Sequence, residues 1–412
     1  MSINSHSKMD KAYRLLSSLP RRPLVTKCQA VAMATRVFNL EIKNDSSVKE
    51  MDSYDDRNFY IQGFLQRASQ RSDSPACEEF VLKIMNHVDS NHEYLIQTQC
   101  NVMSFLRKRG HKCSSPVPSI FGSSFVMCKI PINIPNNRVA LTTDGSKDGF
   151  SSEFEVYHGE EYLEEEYFVC AVMLLRFVHG TVLNETPLTT QLLFDAGMAV
   201  GRLDRDLKDL GCPKLERTGY IWDLATAGDK MEEFLEAVDI KEHADMVREV
   251  CKTFRNEVTP KLNLLPMQMI HGDANYTNIL LTSDSSASFQ EFGFIDFADV
   301  NYTCRVFEIA VSLMYIFNIS SDLSCGRSRI AGHFFAGYHS VNPLSDVEIE
   351  LLPVLIASRF CQSLLIAAFY SKYLYPDNAY VMETSTTGWS NFQAFWKLPK
   401  EEIMSMWLQI RR

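Results

Sequence analysis

No two of the eleven cysteines in this 412-residue chain stand in C-x-x-C spacing. Zinc ribbons and dithiol redox pairs therefore have no support, and reduced thiols are expected. The start, MSINSHSKMDK, has no apolar stretch of the kind a secretory signal needs, so a cytoplasmic location is expected. The two Asn-Tyr-Thr triplets, at Asn275 and Asn301, then read as chance matches to a glycosylation site. No uncharged apolar run reaches the roughly 18 residues that span a membrane. The nearest approaches, VFEIAVSLMYIF and LLPVLIASRFCQSLLIAAFY, carry Glu308 and Arg359 and read as buried core helices. Basic charge is also short. Lys plus Arg is 41 against 51 Asp plus Glu, a net charge of −10. Such a chain is repelled by phosphate backbones, so neither nucleic acid nor membrane is an expected partner. There is no G-x-S-x-G elbow, no G-x-G-x-x-G loop, no internal repeat and no low-complexity tract. What is present, 46% hydrophobic, 11% aromatic and 22% charged residues, is an ordinary globular composition at a length that usually divides into lobes.

The pattern changes once along the chain. A helix is expected near residues 27–37, within an N-terminal helical extension over 1–40. NFYIQGFLQRAS and EEFVLKIM alternate apolar and polar residues around a turn-rich segment and predict a β-hairpin. HEYLIQTQCNVMSFLRKRG has helical spacing and stops at Gly110. SIFGSSFVMCKI and FVCAVMLLRFV read as strands, and the polar, acidic segment between them predicts a surface insertion near 134–165. After His179-Gly180 the chain turns helical, interrupted by short apolar strands in MQMIHGD and FGFIDF, with NILLTSD between them. The expected class is α+β with two lobes. Residues 41–176 form a small N-terminal lobe with an antiparallel sheet, and 177–412 a larger, mainly helical C-terminal lobe.

The strongest local signal is MIHGDANYTNILL. An apolar strand leads into His271-x-Asp273, and Asn278 follows five residues after the aspartate. Eighteen residues later GFIDF places Asp296 at the end of a second apolar strand. This spacing suits phosphoryl transfer. One carboxylate meets a substrate hydroxyl, while a carboxamide and a second carboxylate hold Mg2+ across nucleotide phosphates. Singly, each residue would read as a turn cap; together, at this spacing, they read as chemistry. Asp299 either reaches the metal or substrate or caps the helix that starts near Arg305. Glu308 reads as a buried structural partner of Arg305 or of a backbone group.

H-G-D-x-x-x-x-N followed by I-D-F resembles the aminoglycoside phosphotransferase and choline kinase-like families, relatives of the protein kinases. The resemblance runs from about residue 40 to the C-terminus. Within these families SYDDRNFYI, FVLKI, FGFIDFADVNYTCRVFEIAVSLMY and YLYPDNAYV are most similar to the branch acting on a hydroxylated amino acid. The resemblance implies a bilobal protein kinase-like fold, a nucleoside triphosphate donor (GTP or ATP), Mg2+, and a small amino-alcohol or amino-acid acceptor. Asp273 becomes the catalytic base or hydroxyl-orienting group, with His271 organising its loop; Asn278 and Asp296 become metal ligands. Lys83, on a strand, is expected to pair with the nucleotide phosphates. Asn58 would cradle phosphate together with backbone N–H groups, and Asp55 and Asp56 would fix the turn or approach a metal. The segment around Arg176, Phe177 and Val178 resembles a hinge that binds the base. Arg359 is a candidate for a substrate carboxylate, with structural pairing as the equal alternative. One departure stands out: where the family carries a helix glutamate as the lysine's partner, this chain has Gln97 and Gln99, with Glu93 a turn early. That departure supports a non-catalytic nucleotide-binding protein as the alternative, while the paired motifs favour a kinase of hydroxylated amino acids or of another amino alcohol such as choline or homoserine.

Overall fold

The structure, a computed structural model, describes residues 19–66, 76–131, 155–156, 167–211, 215, 217, 219–282, 290–319, 323–374, 376 and 385–410. The chain divides into two compact units. The first takes residues up to Asn101 together with Ser114–Phe177; the second takes Val102–Cys113 and Val178–Arg412.

In the first unit the strand Arg57–Leu65 pairs antiparallel with Glu78–Ile84. That strand pairs with Tyr167–Arg176, which pairs in turn with Val126–Pro131. The expected hairpin is thus the centre of an eight-stranded antiparallel sheet. Side chains alternate between sheet faces with period two. Phe59, Ile61, Phe80, Leu82, Ile84, Val172 and Leu174 point into one core. Lys83 stands opposite Asn58 on one neighbouring strand and Met173 on the other, at the alternate positions.

The helix Lys27–Phe38 begins at a capping box in which Thr26 and Gln29 satisfy each other's backbone N–H groups. It stops at Asn39, whose φ of 54° leaves the helical region. Its Ala30, Met33, Ala34, Val37 and Phe38 recur every three or four residues and join the sheet's core. The N-terminal segment is therefore not an extension standing apart at residue 40, because its apolar face completes this core. The insertion expected near 134–165 lies outside the described residues, apart from the backbone of the short strand Glu155–Val156.

The second unit is mainly helical. Helices Thr190–Leu207 and Arg327–Val341 touch backbone to backbone. A Cβ on Gly197 would sit 2.0 Å from the Phe334 carbonyl oxygen, and one on Gly337 1.9 Å from that of Phe194. Only glycine permits that approach. Asp346–Tyr373 is long and apolar enough to cross a membrane by length and composition, yet 94% of its apolar window is buried within the protein. Val306–Asn318 is likewise buried on nearly all sides. Short strands sit among these helices. Ile279–Leu281 pairs with Phe292–Phe294 as a hairpin. Met267–Ile270 pairs instead with Asn301–Cys304. The helix begins where expected, with Arg305 as its N-cap, but the strand Asn301–Cys304 separates it from Asp299, so Asp299 is not its cap.

Candidate active site

The strand Met267–Ile270 delivers the chain directly into His271, which is fully buried. The ring Nε2 lies 3.1 Å from the Ile295 carbonyl, while Nδ1 accepts the Asp273 N–H at 3.3 Å. The carbonyl can only accept, so this network assigns the proton to Nε2. Phe297 packs on the ring with centroids 4.6 Å apart. His271 thus fastens the Asp273 loop to the turn that carries Asp296. A second link does the same, since the Ile295 N–H donates to the Asn278 carbonyl at 3.1 Å. Gly272 adopts φ +83°, and a Cβ there would meet the Asp299 carbonyl oxygen at 2.2 Å. The loop closes tightly onto Asp299 only because this residue is glycine.

Asp273 lies at the centre. Its Oδ1 is 3.0 Å from Arg359 Nη2. Its Oδ2 accepts from Asn275 Nδ2 at 2.8 Å and from Asn278 Nδ2 at 3.0 Å. Eighteen percent of its side chain remains exposed. Burial pushes its carboxyl well above the ordinary range; Arg359 pulls the other way, and Asp299, Asp296 and Glu308 add to the rise. Asn275 Oδ1 also accepts the N–H groups of Thr277 and Asn278, so it shapes the turn while it orients the carboxylate.

Helix Val306–Asn318 grips the same loop from beneath. Glu308, fully buried, accepts the Gly272 N–H at 3.0 Å through Oε2 and the Ala274 N–H at 3.3 Å through Oε1. One turn further on, Ser312 donates its hydroxyl to the Ala274 carbonyl at 2.7 Å. The backbone on both sides of Asp273 is therefore held by one helix. Arg305 is not Glu308's partner, because it forms a two-pronged pair with the buried Glu348 at 2.7 Å.

Asp296 is exposed and sits at φ 58°, a left-handed conformation that aspartate tolerates better than most residues. Asn278 directs its Nδ2 to Asp273, which leaves its Oδ1 as the oxygen free for a cation. A carboxamide oxygen plus an exposed carboxylate fits Mg2+, which takes one or two protein carboxylates and completes its shell with phosphate oxygens and water. Consistent with so sparse a set, no group of three or more His, Cys, Asp or Glu side chains forms a metal cage among the described residues. Asp299 instead accepts the Tyr220 hydroxyl. Burial raises its pKa, and Tyr220 and Arg217 oppose that shift. Tyr220, Trp222, Asp223, Gly272 and Asp299 line a small cavity beside the loop. Arg359 is 1% exposed, too deep to meet a substrate carboxylate as expected without releasing Asp273.

In the first unit, Lys83 is 6% exposed and its Nζ lies 2.9 Å from Asp56 Oδ2. Asp56 Oδ1 also accepts the backbone and side-chain N–H groups of Asn86. The lysine's acid therefore comes from the loop before the Asn58 strand. Gln97 and Glu93 are exposed, and Gln97 bonds along its own helix to Asn101. Asn58, across the strand pair from Lys83, has a buried Oδ1 with no hydrogen-bond partner, an acceptor awaiting a donor or cation. Arg176 is paired with Glu78, and the Phe177 N–H already donates to the Glu79 carbonyl at 3.0 Å. That backbone donor is engaged within the sheet. Val178 falls in the second unit.

The sequence profile described as the phosphotransferase enzyme family matches residues 58–344, well over half of the chain. Hydroxylysine kinase of Bos taurus is 33% identical over 396 residues, covering 94% of each chain. That of Mus musculus is 31% identical over 401 residues, covering 95% of each. Among solved structures, an amicoumacin kinase in complex with AMP-PNP, Ca2+ and Ami superposes with a TM-score of 0.58 at 14% identity, covering 93% of this chain and 94% of that one. A microcompartment-associated aminopropanol kinase gives a TM-score of 0.57 at 14% identity, covering 92% and 97%. These likenesses establish the bilobal α+β kinase-like fold.

Proposed function

The chain belongs to the phosphotransferase enzyme family, with an alcohol group as acceptor, and from that premise we propose that it phosphorylates the 5-hydroxyl of 5-hydroxy-L-lysine with GTP or ATP as donor, giving 5-phosphohydroxylysine. Identity of 31–33% to hydroxylysine kinases over nearly the whole of both chains supports this acceptor over choline, homoserine or ethanolamine. The observation that carries the reading is the Asp273 carboxylate, fixed by Arg359, Asn275 and Asn278 within a loop anchored on Glu308.

In this reading Asp273 orients the acceptor hydroxyl and takes its proton as the oxygen bonds to the γ-phosphorus and the bond to the leaving nucleoside diphosphate breaks. Asn278 and Asp296 would hold Mg2+, which neutralises charge on the phosphates. Lys83, oriented by Asp56, and Asn58 are assigned to the nucleotide phosphates. The alternative of a non-catalytic binding protein drew its support from the missing helix glutamate; the Lys83–Asp56 pair removes that support.

The test is phosphoryl transfer from GTP and from ATP to hydroxylysine, choline, homoserine and ethanolamine, with lysine as control. Hydroxylysine should be fastest, and lysine, lacking the acceptor oxygen, should only inhibit. Faster transfer to another acceptor would overturn the acceptor assignment. Nucleotide binding with no transfer to any acceptor would favour the binding protein.

A further inference from the structure

We propose that Arg359 is a positioning residue for the transfer step: it pins the Asp273 carboxylate in the rotation that presents Oδ1 to the acceptor hydroxyl. The proposal rests on the assignment of Asp273 as the hydroxyl-orienting group.

The two carboxylate oxygens have unequal surroundings. Oδ2 takes two carboxamide donors, from Asn275 and Asn278. Oδ1 takes one guanidinium donor, from Arg359, and so keeps a lone pair for a hydroxyl. An aspartate carboxylate turns easily about its last bond, whose torsional preference is broad. Donors on Oδ2 alone hold one end of it; Arg359 holds the other.

The arginine is itself held by packing rather than by any ligand. It lies midway along the helix Asp346–Tyr373, and its guanidinium sits 4.7 Å from the Trp222 ring centre and 5.7 Å from that of Tyr315. Nε and Nη1 make no hydrogen bond. A buried cation is costly, and here the aromatic faces, the Asp273 carboxylate, the nearby Asp299 and the Tyr315 hydroxyl offset that cost. A planar guanidinium suits the space beside two rings; a lysine ammonium would satisfy the charge but not the stacking. Eighty-six residues separate the pair in sequence, so this contact also ties the longest helix of the second unit to the loop.

The test compares Arg359→Met, Arg359→Lys and Trp222→Leu, alone and in an Asp273→Asn background. Arg359→Met should lower kcat by about 10²-fold, the scale of a misplaced catalytic group, with both KM values little changed. Arg359→Lys should recover part of the loss, and Trp222→Leu should show a smaller loss of the same kind. With Asp273→Asn already present, Arg359→Met should cost almost nothing more, because the arginine acts through that aspartate. Full kcat in folded Arg359→Met overturns the proposal. So does a loss confined to the acceptor KM, which would mark a substrate-carboxylate contact, or a loss that multiplies in the double variant. Crystal structures of Arg359→Met and wild type give a readout independent of activity: an unmoved Asp273 carboxylate refutes the proposal. A wild-type protein that transfers phosphate to no acceptor would fail the functional reading instead, and the crystallographic comparison would still decide this one.

Discussion

Replacing Glu308 by glutamine should damage both the fold and the rate. Two backbone N–H groups, of Gly272 and Ala274, arrive at separate oxygens of this buried side chain, so both oxygens must be acceptors. The glutamine amide has the same shape but one acceptor. One N–H then faces an NH2 group, and both donors are left unpaired in the interior. A bond to a charged acceptor contributes about 1.5–3 kcal/mol, and a buried unpaired donor costs about 1–3 kcal/mol, so a net loss of roughly 2–4 kcal/mol is expected. For a unit of this size that corresponds to a melting temperature lower by roughly 4–10 °C. The backbone N–H that loses its acceptor is next to Asp273 in the chain, so the loop should relax, and a displacement near 1 Å lowers turnover by about 10²-fold. Glu308→Asp keeps the charge but is one methylene short; it should hold one N–H and fall between. The assay pairs thermal melts with kcat measured at saturating nucleotide and acceptor. A Glu308→Gln protein with wild-type melting temperature and wild-type kcat would refute the reasoning. Lost stability with full kcat would mean that the loop keeps its shape without the anchor.

Three further outcomes are expected. Asp273→Asn should retain nucleotide binding and lower transfer by about 10²–10⁴-fold, the scale of a positioned base; near wild-type turnover in pure variant would remove it from the chemistry. Asp56→Ala removes the carboxylate 2.9 Å from the buried Lys83 ammonium, so it should lower stability and raise the nucleotide KM, read by melts and initial rates; an unchanged KM would disconnect the pair from nucleotide binding. Asp204 is fully buried, with its pKa raised above the carboxylate range by burial and then by Glu308, while the Tyr338 hydroxyl at 2.5 Å opposes the rise. The folded state then binds the proton more tightly than the unfolded chain, so stability falls as pH rises above the ordinary carboxylate value; Asp204→Asn should flatten that fall in melting temperature, and an identical slope in variant and wild type would count against a raised pKa.

The parts of the site that were legible in the sequence are local ones. His271, Asp273 and Asn278 share one turn, and Asp296 lies one hairpin away, so spacing alone brings them together. The sheet hairpin and the helix Lys27–Phe38 were legible for the same reason, through period two and period near 3.6. Partners supplied from afar left no such trace. Glu308 read as a buried structural group, yet nothing in its helix tells which N–H groups it meets. Arg359 read equally as a substrate-carboxylate group or a structural partner, because its contact with Asp273 spans 86 residues. Asn275 was masked by a glycosylation-like triplet, although it is buried. Asn301–Cys304 is too short to compete with the strong helical pattern after it. Asp56 was placed in a turn-fixing role, which it has, but not in the ion pair, because the search for the lysine's acid followed the helix.

The source of that acid bears on regulation. Where a helix supplies the lysine's partner, swinging the helix out breaks the pair, and signals can switch such an enzyme off. Here Asp56 precedes the strand that pairs directly with the lysine's own, and its other oxygen is tied to Asn86. The pair is complete as soon as those two strands and their turn have formed. Moving a helix does not by itself break this pair, so output should be less sensitive to helix position than where the helix supplies the acid.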